Sequence, residues 1–154
     1  MKKYTDLIQD ILPEIEEMFP WDLEELLDNK EPLILLDIRE ADEFNAARIE
    51  NSINVPRGIL EGALDWGYDD TVPKLAAGRD KTIIVICRSG NRSALAAYTM
   101  KQMGFSRAIS LKTGLRGWND SEQALFDQAG NAVDIDDAEE LFANKVSPEQ
   151  MGPV

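Results

Sequence analysis

The stretch from Thr82 to Gly104 constrains the fold of this chain more than any other. It opens with four consecutive branched apolar residues, Ile83 to Ile86, a run that is typical of a buried strand. The only cysteine, Cys87, follows directly, and Gly104 ends a segment whose apolar residues recur at three- and four-residue spacing. The pattern predicts a buried strand, a tight loop and a helix, with Cys87 at the carboxyl end of the strand.

Small or cationic residues fill the predicted loop, and they are Arg88, Ser89, Gly90, Asn91, Arg92 and Ser93. The first N–H groups of a helix lack intrahelical acceptors, and the helix dipole is positive at that end. A loop that contains glycine can turn further N–H groups inward, and two arginines add full positive charge. We therefore expect the loop to bind an anion and to stabilise Cys87 as the nucleophilic thiolate. A cysteine that merely ends a buried strand is the simpler alternative, but it leaves these polar residues without a role.

Composition limits the chemistry that this cysteine can use. One cysteine and no histidine in 154 residues exclude an intrachain disulfide and the common zinc and haem sites. The usual general base is also missing, so the thiolate must be stabilised by its surroundings rather than by a histidine. No metal and no other cofactor is expected.

Charge is spread unevenly along the chain. Residues 1–50 carry 15 acidic and 5 basic residues (net −10), residues 119–154 carry 9 and 1 (net −8), and residues 51–118 carry 5 and 10 (net +5). The overall charge of −13 argues against binding to nucleic acid or to anionic membranes. The cationic middle of the chain favours a small anionic substrate. No apolar run is long enough to span a membrane, and acidic residues interrupt the N-terminal region where a signal peptide would be apolar, so we expect a cytoplasmic protein.

Short strands alternate with helices along the rest of the chain. Strands are predicted over 33–38, 53–55, 83–86 and 107–111. Helices are predicted over 4–18 with a possible break at Pro13, and over 23–27, 72–77, 93–103, 121–128 and 136–144. This alternation favours an α/β fold with a mainly parallel sheet flanked by helices. Such sheets bind ligands at the carboxyl ends of their strands, which is where Cys87 is placed.

Two segments resemble the signatures of the single-domain rhodanese-like sulfurtransferase family. The first signature consists of Asp-x-Arg, Glu-Phe, Gly-His-Ile, Gly-Ala, Asn and Pro. The matching residues in this chain are Asp37, Arg39, Glu43, Phe44, Ile49, Asn54 and Pro56. The chain departs from the signature at two places, where Ala47-Arg48 replaces Gly-His and Asn51-Ser52 replaces Gly-Ala. The second signature is the loop from Cys87 to Ser93. A third, Gly-Gly-x-x-x-Trp, is matched in part by Thr113-Gly114 and Trp118.

The resemblance implies a rhodanese-like three-layer fold for residues 20–128. An N-terminal amphipathic helix within 1–19 and an acidic C-terminal helix and tail within 129–154 lie outside it. The implied reaction has two steps, in which the Cys87 thiolate takes the outer sulfur of a donor such as thiosulfate and then passes it, as a persulfide, to a thiol or to cyanide.

Roles for individual residues also follow from the resemblance. Arg88 and Arg92 would hold the donor, and the backbone amides from Arg88 to Ser93 would hold the persulfide. Arg57, which follows Pro56, is expected to reach the same site. Asp37, Arg39 and Glu43 are expected to be structural. The four-residue spacing of Arg39 and Glu43 also allows them to pair on a helical turn.

Two other functions remain open from the sequence. Cysteine phosphatases and arsenate reductases have five residues between the cysteine and the arginine, whereas only four separate Cys87 from Arg92. The other alternative is a sulfur carrier or protein-interaction module that holds a persulfide with little turnover of its own. The terminal helices have apolar faces, Leu7/Ile11/Ile15 and Ile135/Leu141/Phe142, which can dock a protein partner or a second copy of the chain, or can simply cap the domain.

Overall fold

The structure of the protein is a computed structural model that describes residues 1–153. The helices are α1 (Tyr4–Ile11), α2 (Pro20–Asp28), α3 (Ala41–Ala46), α4 (Leu60–Ala63), α5 (Pro73–Ala76), α6 (Asn91–Gln102), α7 (Gly114–Asp120) and α8 (Ile135–Phe142). The strands are β1 (Glu16–Met18), β2 (Ile34–Asp37), β3 (Ile53–Asn54), β4 (Thr82–Ile86) and β5 (Arg107–Leu111). Short 3₁₀ helices occupy Leu12–Glu14, Arg57–Ile59 and Pro148–Met151.

The five strands form one sheet in the order β1-β5-β4-β2-β3, and every neighbouring pair is parallel. The predicted α/β fold with a mainly parallel sheet is therefore confirmed. In the register of the sheet, Asp37 at the end of β2 lies opposite both Ile86 of β4 and Asn54 of β3. The carboxyl ends of three strands consequently meet at one edge, and Cys87 follows at the end of β4.

Helices cover both faces of this sheet and complete three layers. Successive residues of β4 alternate between the faces, so that Ile83 and Val85 pack on one side and Ile84 and Ile86 on the other. The first face packs against α4, α5 and α6 through residues such as Leu60, Leu75 and Met100. The second packs against α2, α7 and α8 through Leu23, Trp118 and Phe142. Strands buried on both faces explain the continuous apolar runs in the sequence.

The N-terminal segment differs from the helix predicted over residues 4–18. Helix α1 ends at Ile11, a 3₁₀ turn follows around Pro13, and residues 16–18 form β1 at the end of the sheet beside β5. Proline has no N–H and cannot continue the α-helical hydrogen-bond pattern, which explains the break. On the predicted apolar face, Leu7 is exposed whereas Ile8 beside it is buried.

The helix predicted over residues 121–128 is wrong. Helix α7 instead begins at Gly114 and ends at Asp120, so it contains Gly114 and Trp118 of the partial match to the third signature. Phe126 lies in extended backbone that bridges to Arg48 and Ala132. Glu122 has a φ of +60°, which is incompatible with a right-handed helix at that position.

The predicted C-terminal helix is confirmed as α8, with Asp134 as its N-cap. Its apolar face divides, since Ala138 and Phe142 are buried in the core and Ile135 and Leu141 are exposed. None of the helices within residues 1–153 has the length and apolar character that are needed to cross a membrane.

Candidate active site

The thiol of Cys87 lies inside the loop that joins β4 to α6. The N–H of Gly90 donates to Sγ at 3.0 Å, and the N–H of Ser93 donates to it at 3.3 Å. The side-chain oxygen of Ser93 is also 3.3 Å from Sγ, and it shares a 2.7 Å hydrogen bond with the hydroxyl of Ser110 on β5. Only 1 % of Cys87 is exposed. The loop is thus folded around the sulfur, as the sequence predicted.

Local geometry explains why the loop closes in this way. Gly90 has a φ of +97°, a left-handed conformation that glycine adopts without strain, and α6 starts at the next residue, Asn91. The chain therefore reverses between Cys87 and α6, and the free N–H groups at the start of the helix turn toward Sγ. The helix dipole adds partial positive charge at the same point. Ser89 is exposed and Asn91 is partly exposed at the outer side of the loop.

Helix α7 holds the loop from behind. The N–H of Leu115 donates to the carbonyl of Cys87, and the N–H of Arg116 donates to the carbonyl of Arg88, both at 2.9 Å. This approach requires glycine at position 114, because a Cβ there would lie 2.5 Å from the carbonyl oxygen of Cys87. The Thr113-Gly114 pair is therefore a structural support for the loop, with Gly114 at a φ of +57°.

Arg92 is held by a carboxylate from another part of the chain. Its two terminal nitrogens donate to the two carboxylate oxygens of Glu43, each at 2.9 Å. These hydrogen bonds lower the pKa of Glu43 although partial burial opposes the change, and they raise the pKa of Arg92. The ion pair that the spacing of Arg39 and Glu43 allows does not form, since Arg39 reaches only the backbone carbonyl of Glu43, at 3.2 Å.

Arg39 instead forms a buried ion pair with Asp37. Its Nε and Nη2 atoms donate to the Asp37 carboxylate at 3.0 and 2.8 Å, and Nη2 also donates to the carbonyl of Ala47 at 2.6 Å. The side chain of Asn54 donates to the carbonyls of Asp37 and Arg39. These contacts tie the ends of β2 and β3 together, so Asp37 and Arg39 lie in the framework behind the loop.

The other two arginines differ in their partners. Arg57 donates to Glu61 at 2.8 Å and to Thr99 at 3.2 Å, so its hydrogen bonds go to α4 and α6 rather than to the loop. Arg88 is partly exposed and has no salt-bridge partner among residues 1–153. Arg88 is therefore the cation next to Cys87 that is available to an anion.

Two clefts flank the loop. The α3–α8 cleft has a volume of about 220 Å³ and is lined by Arg39, Asp42, Glu43, Ala46, Arg88, Leu141 and Phe142. The α2–α7 cleft has a volume of about 470 Å³ and is lined by Pro20, Trp21, Ser89, Thr113, Arg116, Gly117, Asp120 and Ser121. Arg88 and Ser89 thus face different clefts, one on each side of the Cys87 loop.

Comparison with known protein families agrees with this geometry. Residues 20–121 match the model of the rhodanese-like domain, and this range includes the Cys87 loop, Glu43 and α7. The chain belongs to the rhodanese-like domain family. The family resemblance inferred from the Asp37 and Cys87 segments is confirmed.

Relatives of this rhodanese-like domain include longer proteins. The adenylyltransferase and sulfurtransferase MOCS3-2 of Zea mays is 33 % identical over 108 residues, which are 70 % of this chain and 22 % of the maize protein. The putative sulfur carrier protein YrkF of Bacillus subtilis is 34 % identical over 92 residues, 60 % of this chain and 44 % of that protein. The chain therefore spans less than half the length of both curated relatives.

Among solved structures, RPA3614 of Rhodopseudomonas palustris superimposes with a TM-score of 0.73 and 26 % identity. The match covers 80 % of this chain and 93 % of RPA3614, which is described as a protein of unknown function and a possible tyrosine phosphatase. The rhodanese-like fold is thus shared over most of both chains.

Sequence reasoning missed several residues around the loop of this rhodanese-like domain. Tyr4 is one of them, because its phenol is close enough to the loop to interact with the charges there. Partial burial and the charge of Cys87 raise the pKa of this phenol, whereas Arg92 and Arg88 lower it. Ser110 is another, and it could have been found because β5 runs beside β4 and brings its end to the same edge. Leu141 and Phe142 carried only the signal of an amphipathic helix, which does not indicate where the helix packs.

Proposed function

We propose that this rhodanese-like domain is a sulfurtransferase that carries a sulfane sulfur as a persulfide on Cys87. The observation that supports this most directly is the pair of N–H groups, from Gly90 and Ser93, that donate to Sγ at 3.0 and 3.3 Å. Fixed N–H donors stabilise negative charge on sulfur without reorganising when the charge develops. The same donors suit both the thiolate that attacks and the anionic persulfide that results.

The first step loads the cysteine. The Cys87 thiolate attacks the outer sulfur of thiosulfate, an S–S bond forms between them, and the original S–S bond breaks. Sulfite leaves with the bonding electron pair, and the negative charge stays on the outer sulfur of the persulfide. Within these 154 residues there is no second cysteine that could convert the persulfide to a disulfide.

The second step transfers the sulfur. An acceptor thiolate, or cyanide, attacks the outer sulfur, the Cys87 S–S bond breaks, and the electron pair returns to Cys87. Only 1 % of Cys87 is exposed, but the added sulfur extends about 2 Å beyond Sγ. The persulfide therefore brings the reacting atom closer to the mouth of the loop than the thiol is.

The arginines have separate roles in this proposal. Arg88 binds the sulfonate end of the donor, because it adjoins Cys87 and has no carboxylate partner among the described residues. Arg92 mainly holds α6 to α3 through Glu43, so its charge is partly neutralised before a donor arrives. Arg57 is directed to Glu61 and Thr99 and takes no part.

A sulfur carrier that loads Cys87 but releases sulfur only to a protein partner is the second candidate. The similarity to the putative sulfur carrier protein of B. subtilis favours it. Both candidates require the Cys87 persulfide, and they differ in whether small acceptors are turned over.

The test is to incubate the protein with thiosulfate, remove the excess and measure its intact mass. We expect a gain of one sulfur atom in the wild type, no gain in Cys87→Ser, and formation of thiocyanate when cyanide is added to the loaded protein. A carrier would load but would give no multiple turnover with cyanide or small thiols.

The outcome that would contradict both candidates is an unchanged mass after treatment with thiosulfate and with a low-molecular-weight persulfide. Hydrolysis of p-nitrophenyl phosphate is measured alongside with the same two proteins. Phosphatase activity that depends on Cys87 and exceeds the rate of sulfur transfer would support the phosphatase alternative instead.

A further inference from the structure

Helix α8 lies outside the matched residues 20–121, yet it is built into the domain. Ala138 is fully buried, Phe142 is only 3 % exposed, and both belong to the core on the second face of the sheet. The side chain of Asn119 on α7 donates to the carbonyl of Ile135 at 3.0 Å. Since α7 also supports the Cys87 loop, α8 is held in a fixed position relative to the sulfur.

The α3–α8 cleft provides an apolar surface next to the Cys87 loop. Leu141 is 47 % exposed, although it lines the cleft together with Ala46 and Phe142. Arg88, the residue after Cys87, lines the same cleft. The volume of about 220 Å³ is below the range of roughly 300–1,000 Å³ that is typical of sites for drug-sized ligands. The cleft therefore fits a short aliphatic chain rather than a large cofactor.

The charged residues that line the cleft differ in whether they have a salt-bridge partner. Arg39 is paired with Asp37, and Glu43 is paired with Arg92. The other two charged residues that line the cleft, Arg88 and Asp42, have no salt-bridge partner among residues 1–153. Arg88 adjoins Cys87, whereas Asp42 is exposed at the outside. The cleft therefore combines an unpaired cation, from the residue that follows Cys87, with apolar side chains and an exposed, unpaired carboxylate.

We propose that the α3–α8 cleft is the acceptor site and that Leu141 selects thiols with a short apolar chain and an uncharged distal end. The proposal rests on the sulfur transfer proposed above. The acceptor thiolate approaches Arg88, its aliphatic chain packs on Leu141, and a distal carboxylate is disfavoured by Asp42.

Dithiols provide the probes, because their reaction is complete and measurable. One thiolate takes the outer sulfur of the Cys87 persulfide, and the electron pair of the broken bond returns to Cys87. The second thiol then attacks the first sulfur of the acceptor, forming an intramolecular disulfide and releasing the transferred sulfur as hydrosulfide. The dithiol is oxidised by two electrons, and the sulfane sulfur is reduced by two.

The experiment compares dihydrolipoamide, which has an apolar chain and a neutral end, with dithiothreitol, which lacks the chain. Sulfide release is measured with thiosulfate as donor for the wild type, Leu141→Ala and Ile135→Ala. Ile135 is the matched control, since it lies on the same helix, is 44 % exposed and does not line the cleft. We expect Leu141→Ala to raise the KM for dihydrolipoamide about 5–10-fold, the effect of losing a half-buried Leu side chain. The KM for dithiothreitol, kcat and the rate of thiosulfate loading should stay within about twofold, and Ile135→Ala should match the wild type.

A second pair of probes tests the charge of Asp42. Dihydrolipoate carries a carboxylate where dihydrolipoamide carries an amide, so the wild type should prefer the amide. Asp42→Asn should reduce that preference about 2–5-fold, the size of an exposed charge interaction. Leu141→Gln keeps the size of the side chain and removes its apolar character, so it should reproduce the KM change of Leu141→Ala.

The outcomes separate this proposal from the function on which it rests. If the wild type gains no sulfur from thiosulfate, the proposed function fails and the acceptor site fails with it. If loading is normal but Leu141→Ala and Ile135→Ala behave alike, only the acceptor site is overturned. Equal increases in KM for dihydrolipoamide and dithiothreitol would also overturn it, because the apolar chain would then have no contact with Leu141.

Discussion

Replacing Gly114 with alanine should damage the domain more than an ordinary glycine substitution would. The new methyl group would lie 2.5 Å from the carbonyl oxygen of Cys87 and 2.6 Å from the carbonyl carbon and oxygen of Arg88. All three are backbone atoms, which cannot rotate away as a flexible side chain can. The loop or α7 would have to move, and the hydrogen bonds from Leu115 and Arg116 to the loop would lengthen.

Gly130 supplies the matched control for the size of this effect. Its φ of +83° is also left-handed, but a Cβ at Gly130 would meet no atom within 4 Å. Gly130→Ala should therefore cost only the conformational strain, about 1–2 kcal/mol in the free energy of unfolding. Gly114→Ala should cost the same strain plus about 1–3 kcal/mol for the forced contact, or roughly 2–5 kcal/mol altogether.

Urea unfolding followed by tryptophan fluorescence measures both free energies, and the mass gain with thiosulfate measures loading of the loop. We expect Gly114→Ala to lose more stability than Gly130→Ala and to load Cys87 more slowly. Equal losses of stability together with normal loading would show that α7 does not hold the loop, and the reasoning from the backbone contacts would be refuted.

Two further predictions concern the ion pairs around the site. Because Arg92 lowers the pKa of Glu43 from its ordinary 4.5, the native pair stabilises the fold above that pH and loses its contribution as the pH falls through the lowered pKa. Glu43→Gln should cost up to about 1 kcal/mol at pH 7, since the pair is partly exposed. The difference from wild type in urea unfolding should shrink as the pH falls through the lowered pKa of Glu43, and a constant difference would contradict this. Asp37→Asn leaves the Arg39 charge buried without its partner and should cost about 3–5 kcal/mol in the same assay. The double variant Asp37→Leu/Arg39→Met should recover part of that loss. If neither Asp37→Asn nor the double variant differs from the wild type in free energy of unfolding, the pair is not buried as described.

The Cys87 loop could be predicted from sequence because its contacts are local. The donors to Sγ come from Gly90 and Ser93, three and six residues further along the chain, and the turn between them depends on one glycine. The pairing of Glu43 with Arg92 spans 49 residues. The four-residue spacing between Arg39 and Glu43 allowed a local ion pair. The approach of α6 to α3 instead makes Arg92 the partner of Glu43.

The missed elements have a common physical cause. Strand β1 consists of Glu16, Glu17 and Met18, which show no apolar alternation, and the segment is extended because it pairs with β5. Helix α7 begins at Gly114, and both Gly114 and the N-cap Thr113 before it are in left-handed conformations, a start that helix propensity does not favour. In both places tertiary contacts outweigh local preference.

The two ends of the sheet have a consequence for how the protein behaves in solution. At one end β1 covers β5, and its Glu16 and Glu17 present carboxylates to solvent; at the other end β3 has only two residues. Short or charged end strands discourage other chains from adding to a sheet. The family match starts at residue 20, so a chain trimmed to that match would lose β1 and leave the N–H and C=O groups along β5 unpaired. Such a chain would retain the Cys87 loop and yet offer a template on which further copies could assemble into aggregates.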